Sequence, residues 1–392
     1  MPTNDEIFAD LLMYLLERMR KWRPEEIEHC KLLTPVYRVL TRLGEGGFGF
    51  VYLVTARQSI TSAQTVALSA VKILREGLIV DDKRRELFRE EAGVWINIPP
   101  HPHIVRAANV VEIGGRICIE MEYVHPSAEG AQRPGMCTLQ DYLLYEPPNL
   151  LKTLKWSIQI CRGMEHAYSH GVKSHRDLKP TNIMIDMNKT AKITDFGLAG
   201  VLAPLAQKNG INVFHHGKEV GASYSSLVGT GFGTPPYMPP EQFENALTCD
   251  ERSDIYAFGV MLYQMVAKGR FPFSLPSPPR RGASHEQKEQ YWQDVYDAHR
   301  YNDVSVVDSP LFAHIEKCIQ KDREARYQSF AALRLELEKL LTEVGGGAVS
   351  APTQLEQSAD VEWIQRASWL LAIGLNDKAL DFGTGVRTTW IR

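Results

Sequence analysis

His175-Arg176-Asp177-Leu178-Lys179-Pro180-Thr181-Asn182, followed by Ile193-Thr194-Asp195-Phe196-Gly197, is the stretch on which the reading of this 392-residue chain turns. One loop carries a carboxylate, an ammonium and a carboxamide, and Asp195 adds a second acid shortly after. That combination suits phosphoryl transfer, which asks for positioning more than for covalent chemistry. Asp177 can accept or orient a hydroxyl proton, and Lys179 can stand beside a moving phosphate. Asn182 and Asp195 offer the hard oxygens that Mg²⁺ prefers.

Working upstream, Ala70-Val71-Lys72-Ile73-Leu74 sets a lysine in an apolar strand. A buried ammonium is costly unless paired, so Lys72 reads as a cation that holds phosphates and is itself held by a carboxylate. The charged helix expected over 81–97 contains Glu90 and Glu91, either of which can serve. Glu91 is preferred, because Val94, Trp95 and Ile98 follow at helical spacing on the same side. Further upstream, Gly44-Glu45-Gly46-Gly47-Phe48-Gly49-Phe50-Val51 is a glycine cluster whose backbone N–H groups can approach phosphate oxygens closely. The β-branched and aromatic run Val51–Thr55 that follows predicts a strand, hence a hairpin over the phosphates rather than a dinucleotide-binding turn into a helix.

Strands are predicted at 37–43, 51–55, 66–74 and 117–124, and mostly helices beyond Leu139, with short strands near Ile183 and Ile193. The pattern implies an α+β architecture of two lobes joined near 122–125, the first rich in strands and the second helical. Ile255–Val266 reads as a buried helix. The chain divides into a helical extension (1–34), the two lobes (35–124 and 125–342), a Gly/Ala/Ser/Pro linker (343–356) and a C-terminal helical segment (357–392). Residues 5–21 carry an apolar face at helical spacing, capped by Asn4 or Asp5, which either packs on the main domain or docks a partner.

Composition is that of an ordinary globular protein, with 44% hydrophobic and 23% charged residues and a net charge of −3. Nothing in that balance points to nucleic acid. The six cysteines are scattered without a CxxC pair, which fits a reducing, cytoplasmic compartment. Asp5 and Glu6 stand where a secretion signal needs positive charge, and no uncharged apolar stretch reaches the ~20 residues of a membrane span.

These motifs together resemble the signature of the eukaryotic-like (Hanks-type) serine/threonine protein kinase family, from about Tyr37 to Leu341. The resemblance implies an ATP cleft between the lobes, with Mg²⁺ (or Mn²⁺) as the metal and protein hydroxyls as acceptors. Gly44, Gly46 and Gly49 would cover the phosphates. Lys72 would contact the α- and β-phosphates and pair with Glu91. Asp177 would be the catalytic base, and Asn182 and Asp195 would bind the metal. Met121 looks like the residue at the back of the adenine pocket and Glu122 to Val124 like the hinge. Leu43, Val51, Ala70 and Met184 would enclose the nucleotide.

Lys179, two residues after Asp177, matches the serine/threonine branch. Gly233-Thr234-Pro235-Pro236-Tyr237-Met238-Pro239-Pro240-Glu241 is similar to the family's GTPxYMAPE segment, with Pro239 in place of the usual alanine. Thr234 would then bond Asp177 and Lys179, Glu241 would pair with Arg326, and Asp254 would brace the catalytic loop.

The stretch from Asp195 to Glu241 is longer than the family usually has. Its insert, 203–221, reads as a mobile loop or a docking site. Ser223, Ser225, Ser226 and Thr230 are candidate autophosphorylation sites whose phosphate Arg176 could bind. His215 and His216 lack further ligands at zinc spacing. A second Asp381-Phe382-Gly383 has no catalytic loop ahead of it and reads as coincidence. The segment 363–386 faintly resembles one tetratricopeptide repeat, and a plain amphipathic helix is the simpler reading. The competing function is an ATP-binding pseudokinase or scaffold, which would be expected to lack one of Lys72, Asp177 and Asp195. All three are present.

Overall fold

The computed structural model describes residues 24–33, 36–46, 49–56, 68–75, 82–126, 136–196, 234–280 and 282–349. The helix expected over 5–21, the insert 203–221, the four candidate phosphosites Ser223, Ser225, Ser226 and Thr230, and the C-terminal segment 357–392 lie outside them.

The first lobe is built on a five-stranded antiparallel sheet in the order β1-β2-β3-β5-β4. Its strands are β1 (Tyr37–Glu45), β2 (Gly49–Ala56), β3 (Leu68–Leu74), β4 (Ala107–Ile113) and β5 (Arg116–Glu122). Side chains alternate across a strand, so β3 sends Val71 and Ile73 to one face and Ala70, Lys72 and Leu74 to the other. The first face forms a core of Tyr37, Phe50, Tyr52, Val54, Val71, Ile73, Ile113 and Cys118, closed by Leu33 of helix α1 (Pro24–Leu33). The second packs on helix α2 (Asp82–Asn97) through Phe88, Ala92 and Trp95, and is continuous with the core of the second lobe. β4 was not expected from the sequence. It is an edge strand with mixed exposure, and such a strand shows little of the apolar alternation that betrays its neighbours.

The second lobe contains α3 (Leu139–Tyr145), α4 (Leu150–Ser169), the small hairpin β6 (Ile183–Ile185) and β7 (Ala191–Ile193), and then α5 (Pro240–Asn245), α6 (Glu251–Val266), α7 (His285–Tyr301), α8 (Phe312–Cys318) and α9 (Phe330–Glu343). α6 is buried along almost its whole length, as expected for 255–266. Asp250 and Ser253 cap it reciprocally. Gly259 lets α8 cross at close range, since a Cβ there would lie 2.6 Å from the Cys318 Cβ. α9 ends where Gly345 takes a left-handed conformation (φ 77°) and Gly346 N–H returns to the Leu341 carbonyl.

Between the lobes the chain runs through Glu122, Tyr123 and Val124, within the 122–125 junction expected. Lys192 on β7 forms an ion pair with the Glu122 carboxylate, tying this crossover to the helical lobe.

Candidate active site

The cleft between sheet and helices encloses about 510 Å³. Leu43, Gly44 and Gly46 of the β1–β2 hairpin, Val51, Ala70, Lys72, Met121, Glu122, Val124, Lys179, Asn182, Met184 and Asp195 all line it. Gly49 lies at the base of the same hairpin, where Gly46 N–H donates to the Gly49 carbonyl (2.9 Å). A Cβ at Gly49 would sit 1.9 Å from the Ile73 carbonyl oxygen, whereas one at Gly44 or Gly46 would meet nothing within 4 Å among the described residues. The first glycine is therefore demanded by the sheet itself. The other two leave an open approach to the backbone from the cleft.

Lys72 is buried, and its Nζ donates to Asp195 Oδ2 across the cleft at 2.7 Å. The carboxylate the lysine was expected to need is thus met by Asp195. Position 91 falls on the α2 face of Phe88, Ala92 and Trp95, but the Glu91 side chain lies outside the described residues. Glu90, the other candidate, is exposed.

Asp195 takes a left-handed backbone conformation (φ 67°), and so does Arg176 beside the catalytic loop (φ 63°). Such conformations cost of order 1–2 kcal/mol in non-glycine residues and persist only where the surroundings impose them. Here the surroundings are specific. Asp254 on α6 accepts from His175 N–H (2.6 Å), Arg176 N–H (3.0 Å) and the Ser174 hydroxyl (3.2 Å). The Tyr168 hydroxyl also donates to it. Gln242 Nε2 donates to the Arg176 carbonyl at 2.8 Å. Asp254 thereby braces the loop as expected, while Tyr168, Ser174 and Gln242 carried no signal in the sequence.

His175 links the two functional loops. Its Nε2 contacts the Thr194 carbonyl (2.9 Å), and its Nδ1 receives the Asp177 N–H (3.4 Å). Those partners require Nε2–H as donor and Nδ1 as acceptor, a neutral imidazole. Phe196 packs against this ring, with centroids 4.8 Å apart, and against Trp95 of α2 at 6.5 Å. That packing holds Asp195 turned toward Lys72.

Three donors converge on the Asp177 carboxylate. Thr234 Oγ1 donates to Oδ1 (2.8 Å), and Lys179 Nζ (2.6 Å) and Asn182 Nδ2 (3.2 Å) donate to Oδ2. Lys179 also donates to Thr234 Oγ1 at 2.6 Å. A carboxylate offers about four acceptor sites, so one remains for a further hydroxyl. Asn182 Nδ2 donates to the Asp177 carbonyl as well (2.8 Å). With its nitrogen fixed there, the amide leaves its oxygen for a cation.

Asn182 and Asp195 both line the cleft, and no three His, Cys, Asp or Glu side chains among the described residues form a complete cage. Two protein oxygens completed by waters and phosphate oxygens is how Mg²⁺ is commonly held in phosphoryl-transfer sites, so the donor set fits that ion. Cys137 also lines the cleft. Burial, and then the nearby Asp141 and Asp186, push its thiol up to about 12, which keeps it from acting as a nucleophile.

The segment after Thr234 is anchored at its far end. Arg326, its side chain fully buried, makes a two-pronged pair with Glu241 at 2.7 and 3.0 Å, as expected, and adds the Arg252, Gln320 and Lys321 carbonyls.

Compared with known proteins, residues 37–336 match the family model described as "Protein kinase domain". The chain is similar to the serine/threonine-protein kinase pkn2 of Myxococcus xanthus, 34% identical over 62% of this chain and 25% of that protein. It is similar to a probable serine/threonine-protein kinase PknB of Lactococcus lactis, 30% identical over 67% of this chain and 36% of the relative. The mouse serine/threonine-protein kinase Nek1 is 30% identical over 58% of this chain and 16% of its own length. The chain thus spans less than half the length of these curated relatives. With a family match that takes in both lobes and every residue of the cleft, the chain belongs to the serine/threonine protein kinase family.

Proposed function

We propose that the protein transfers the γ-phosphate of Mg·ATP to serine or threonine hydroxyls of proteins. The observation that carries this is the Asp177 carboxylate, held by Thr234, Lys179 and Asn182 with one acceptor site left. A substrate hydroxyl fills that site and gives its proton to Asp177 as its oxygen bonds the γ-phosphorus. The bond from the γ-phosphorus to the bridging oxygen breaks, and ADP leaves. Lys179 neutralises charge on the moving phosphoryl group.

Lys72 holds the α- and β-phosphates, with Glu91 as its second carboxylate. Gly44 and Gly46 admit the phosphates to the loop backbone. Magnesium, held by Asn182 and Asp195, would neutralise phosphate charge when bound, and Mn²⁺ has the same donor preference. Leu43, Val51, Ala70 and Met184 enclose the purine, with Met121 behind it. The Glu122 N–H already donates to the Arg106 carbonyl (2.9 Å), so Val124 is the hinge position that offers a backbone donor to adenine.

The same reading assigns 35–124 and 125–342 to the two lobes, and partner docking to the terminal helices at 5–21 and 357–392. Autophosphorylation falls among Ser223, Ser225, Ser226 and Thr230, with Arg176 near the phosphate. The reading includes a signalling role in the cytoplasm, and the free thiols at 118, 137, 161, 249 and 318 are compatible with the reducing compartment it needs. No helix among the described residues is long and apolar enough to cross a membrane. The pseudokinase alternative is not favoured, since Lys72, Asp177 and Asp195 are all in place.

The test is incubation with Mg·ATP and a generic serine/threonine substrate, beside Asp177→Ala. Transfer that vanishes in the variant supports the reading. No transfer by a chain that still binds ATP would return the protein to the scaffold alternative. Intact-mass analysis of the same reaction reports autophosphorylation.

A further inference from the structure

The outer side of the phosphate hairpin is held by a stack of side chains that the transfer mechanism does not use. Phe50 follows Gly49 on β2 and is only 5% exposed. The Arg75 guanidinium, just past the end of β3, lies 4.7 Å from the centre of its ring. The His29 ring of α1 lies 4.7 Å from the same centre, tilted by 48°. Arg75 also reaches into the hairpin. Its Nε and Nη2 both donate to the Gly46 carbonyl (3.3 Å each), and Nη2 bonds Glu45 Oε1 at 2.5 Å.

His29 is fixed in turn, with its Nδ1 2.7 Å from the Tyr52 hydroxyl and its Nε2 3.1 Å from Arg116 Nη1. A guanidinium can only donate. Nε2 therefore accepts, the imidazole is neutral, and Nδ1–H points to Tyr52. One chain of contacts thus runs from α1 through Phe50 and Arg75 to the Gly46 carbonyl. A Cβ at Gly46 would meet nothing within 4 Å among the described residues, so what holds the loop there is its backbone pair with Gly49 and the Arg75 guanidinium. The family match begins at residue 37, so His29 and the rest of α1 lie ahead of it.

We propose that His29, Phe50 and Arg75 form a clamp that positions the phosphate loop, and that through it α1 sets the affinity for ATP phosphates. These are positioning residues, since none of them lines the cleft. The physical basis is preorganisation. A glycine-rich loop loses much backbone entropy on closing over phosphates, and a loop already held at Gly46 loses less on binding.

The inference rests on the cleft being an ATP site, and the experiment separates the two. Calorimetry on the full chain would compare Mg·AMP-PNP, a non-hydrolysable ATP analogue, with adenosine, which has no phosphates. Arg75→Ala and His29→Ala should each weaken Mg·AMP-PNP by roughly three- to ten-fold, the scale of one cation–π contact or one hydrogen bond. Adenosine affinity should hold within about two-fold. The double variant should lose less than the product of the two single losses, because both act through Phe50. Arg75 is partly exposed, so its removal leaves the core intact. His29→Gln, which keeps polar atoms but no ring, stands in if His29→Ala is poorly folded. Equal loss of adenosine would show a general structural defect and overturn the clamp. Unchanged Mg·AMP-PNP binding in Arg75→Ala would overturn it as well, and unchanged binding in both His29 variants would remove α1 from it. A wild-type chain that binds neither ligand would overturn the ATP reading itself, and the clamp with it.

Discussion

Asp177 is useful only while its two oxygens stay where Thr234, Lys179 and Asn182 hold them. Thr234 lies outside the nucleotide cleft and touches Asp177 alone among the acids there. Thr234→Ala is therefore expected to lower kcat by about ten- to a hundred-fold and to leave the KM for ATP unchanged, with Thr234→Ser restoring most of the rate. Steady-state kinetics against ATP and peptide would check this, and a matching rise in the KM for ATP would refute it. Arg326 is a second residue whose value lies in its neighbours. Removing it strands Glu241 in a mostly buried site, and breaking such a pair from one side costs about 3–5 kcal/mol. Arg326→Ala should lower the urea midpoint accordingly. Arg326→Lys should recover little, because both prongs of the guanidinium contact the carboxylate.

Among the elements, the β1–β2 hairpin separates two kinds of glycine that look alike in the sequence. Gly49→Ala drives a methyl into the Ile73 carbonyl and should destabilise the fold, seen as a lower thermal midpoint with or without nucleotide. Gly46→Ala meets no atom among the described residues and should leave the midpoint unchanged while raising the KM for ATP several-fold. If the two variants behave alike in both assays, the distinction drawn from the backbone approach is wrong. Elements with strong periodicity or a glycine signal were legible before folding: β1, β2, β3, β5, α2 and the buried α6. β4 was not, because an edge strand does not alternate cleanly. The cover that α1 gives the outer sheet was not legible either. Its sequence, Pro-Glu-Glu-Ile-Glu-His-Cys-Lys-Leu-Leu, shows a weak apolar stripe, and its contacts run to Tyr52 and Arg116, far along the chain. The same distance hid Tyr168 and Gln242, which support the catalytic loop from α4 and α5, and Ser174, whose partner Asp254 lies 80 residues further along the chain. The loop's own acids and amide were readable because a single short motif carries them.

Over the whole molecule, stability should be sensitive to acid through histidines. Burial holds His101, His103 and His125 down at about 4 and His299 at about 3, against an ordinary 6.5. Below pH 6.5 the unfolded chain takes up protons at these positions and the folded chain does not, so acid favours unfolding. The contribution is fully present above pH 6.5 and is lost as the pH falls toward 4, and toward 3 for His299. Urea titrations between pH 7 and 4 should show stability falling with a slope of up to four protons, and His125→Phe should reduce that slope by about one. A flat profile over this window would mean that the imidazoles are solvated in solution.

The bond between Lys72 and Asp195 has one more implication. An ammonium and a carboxylate at 2.7 Å, both largely out of water, neutralise each other. Phosphates alone draw the ammonium away from this carboxylate, and a divalent cation alone draws the carboxylate away from this ammonium, so either ligand arriving singly gives up the bond between them. Partners are exchanged without loss when both arrive together. Nucleotide and cation are thus expected to bind as linked ligands, each raising the affinity for the other by the same factor. The cleft would then discriminate against uncomplexed ATP by the thermodynamics of a single ion pair, with no moving part required.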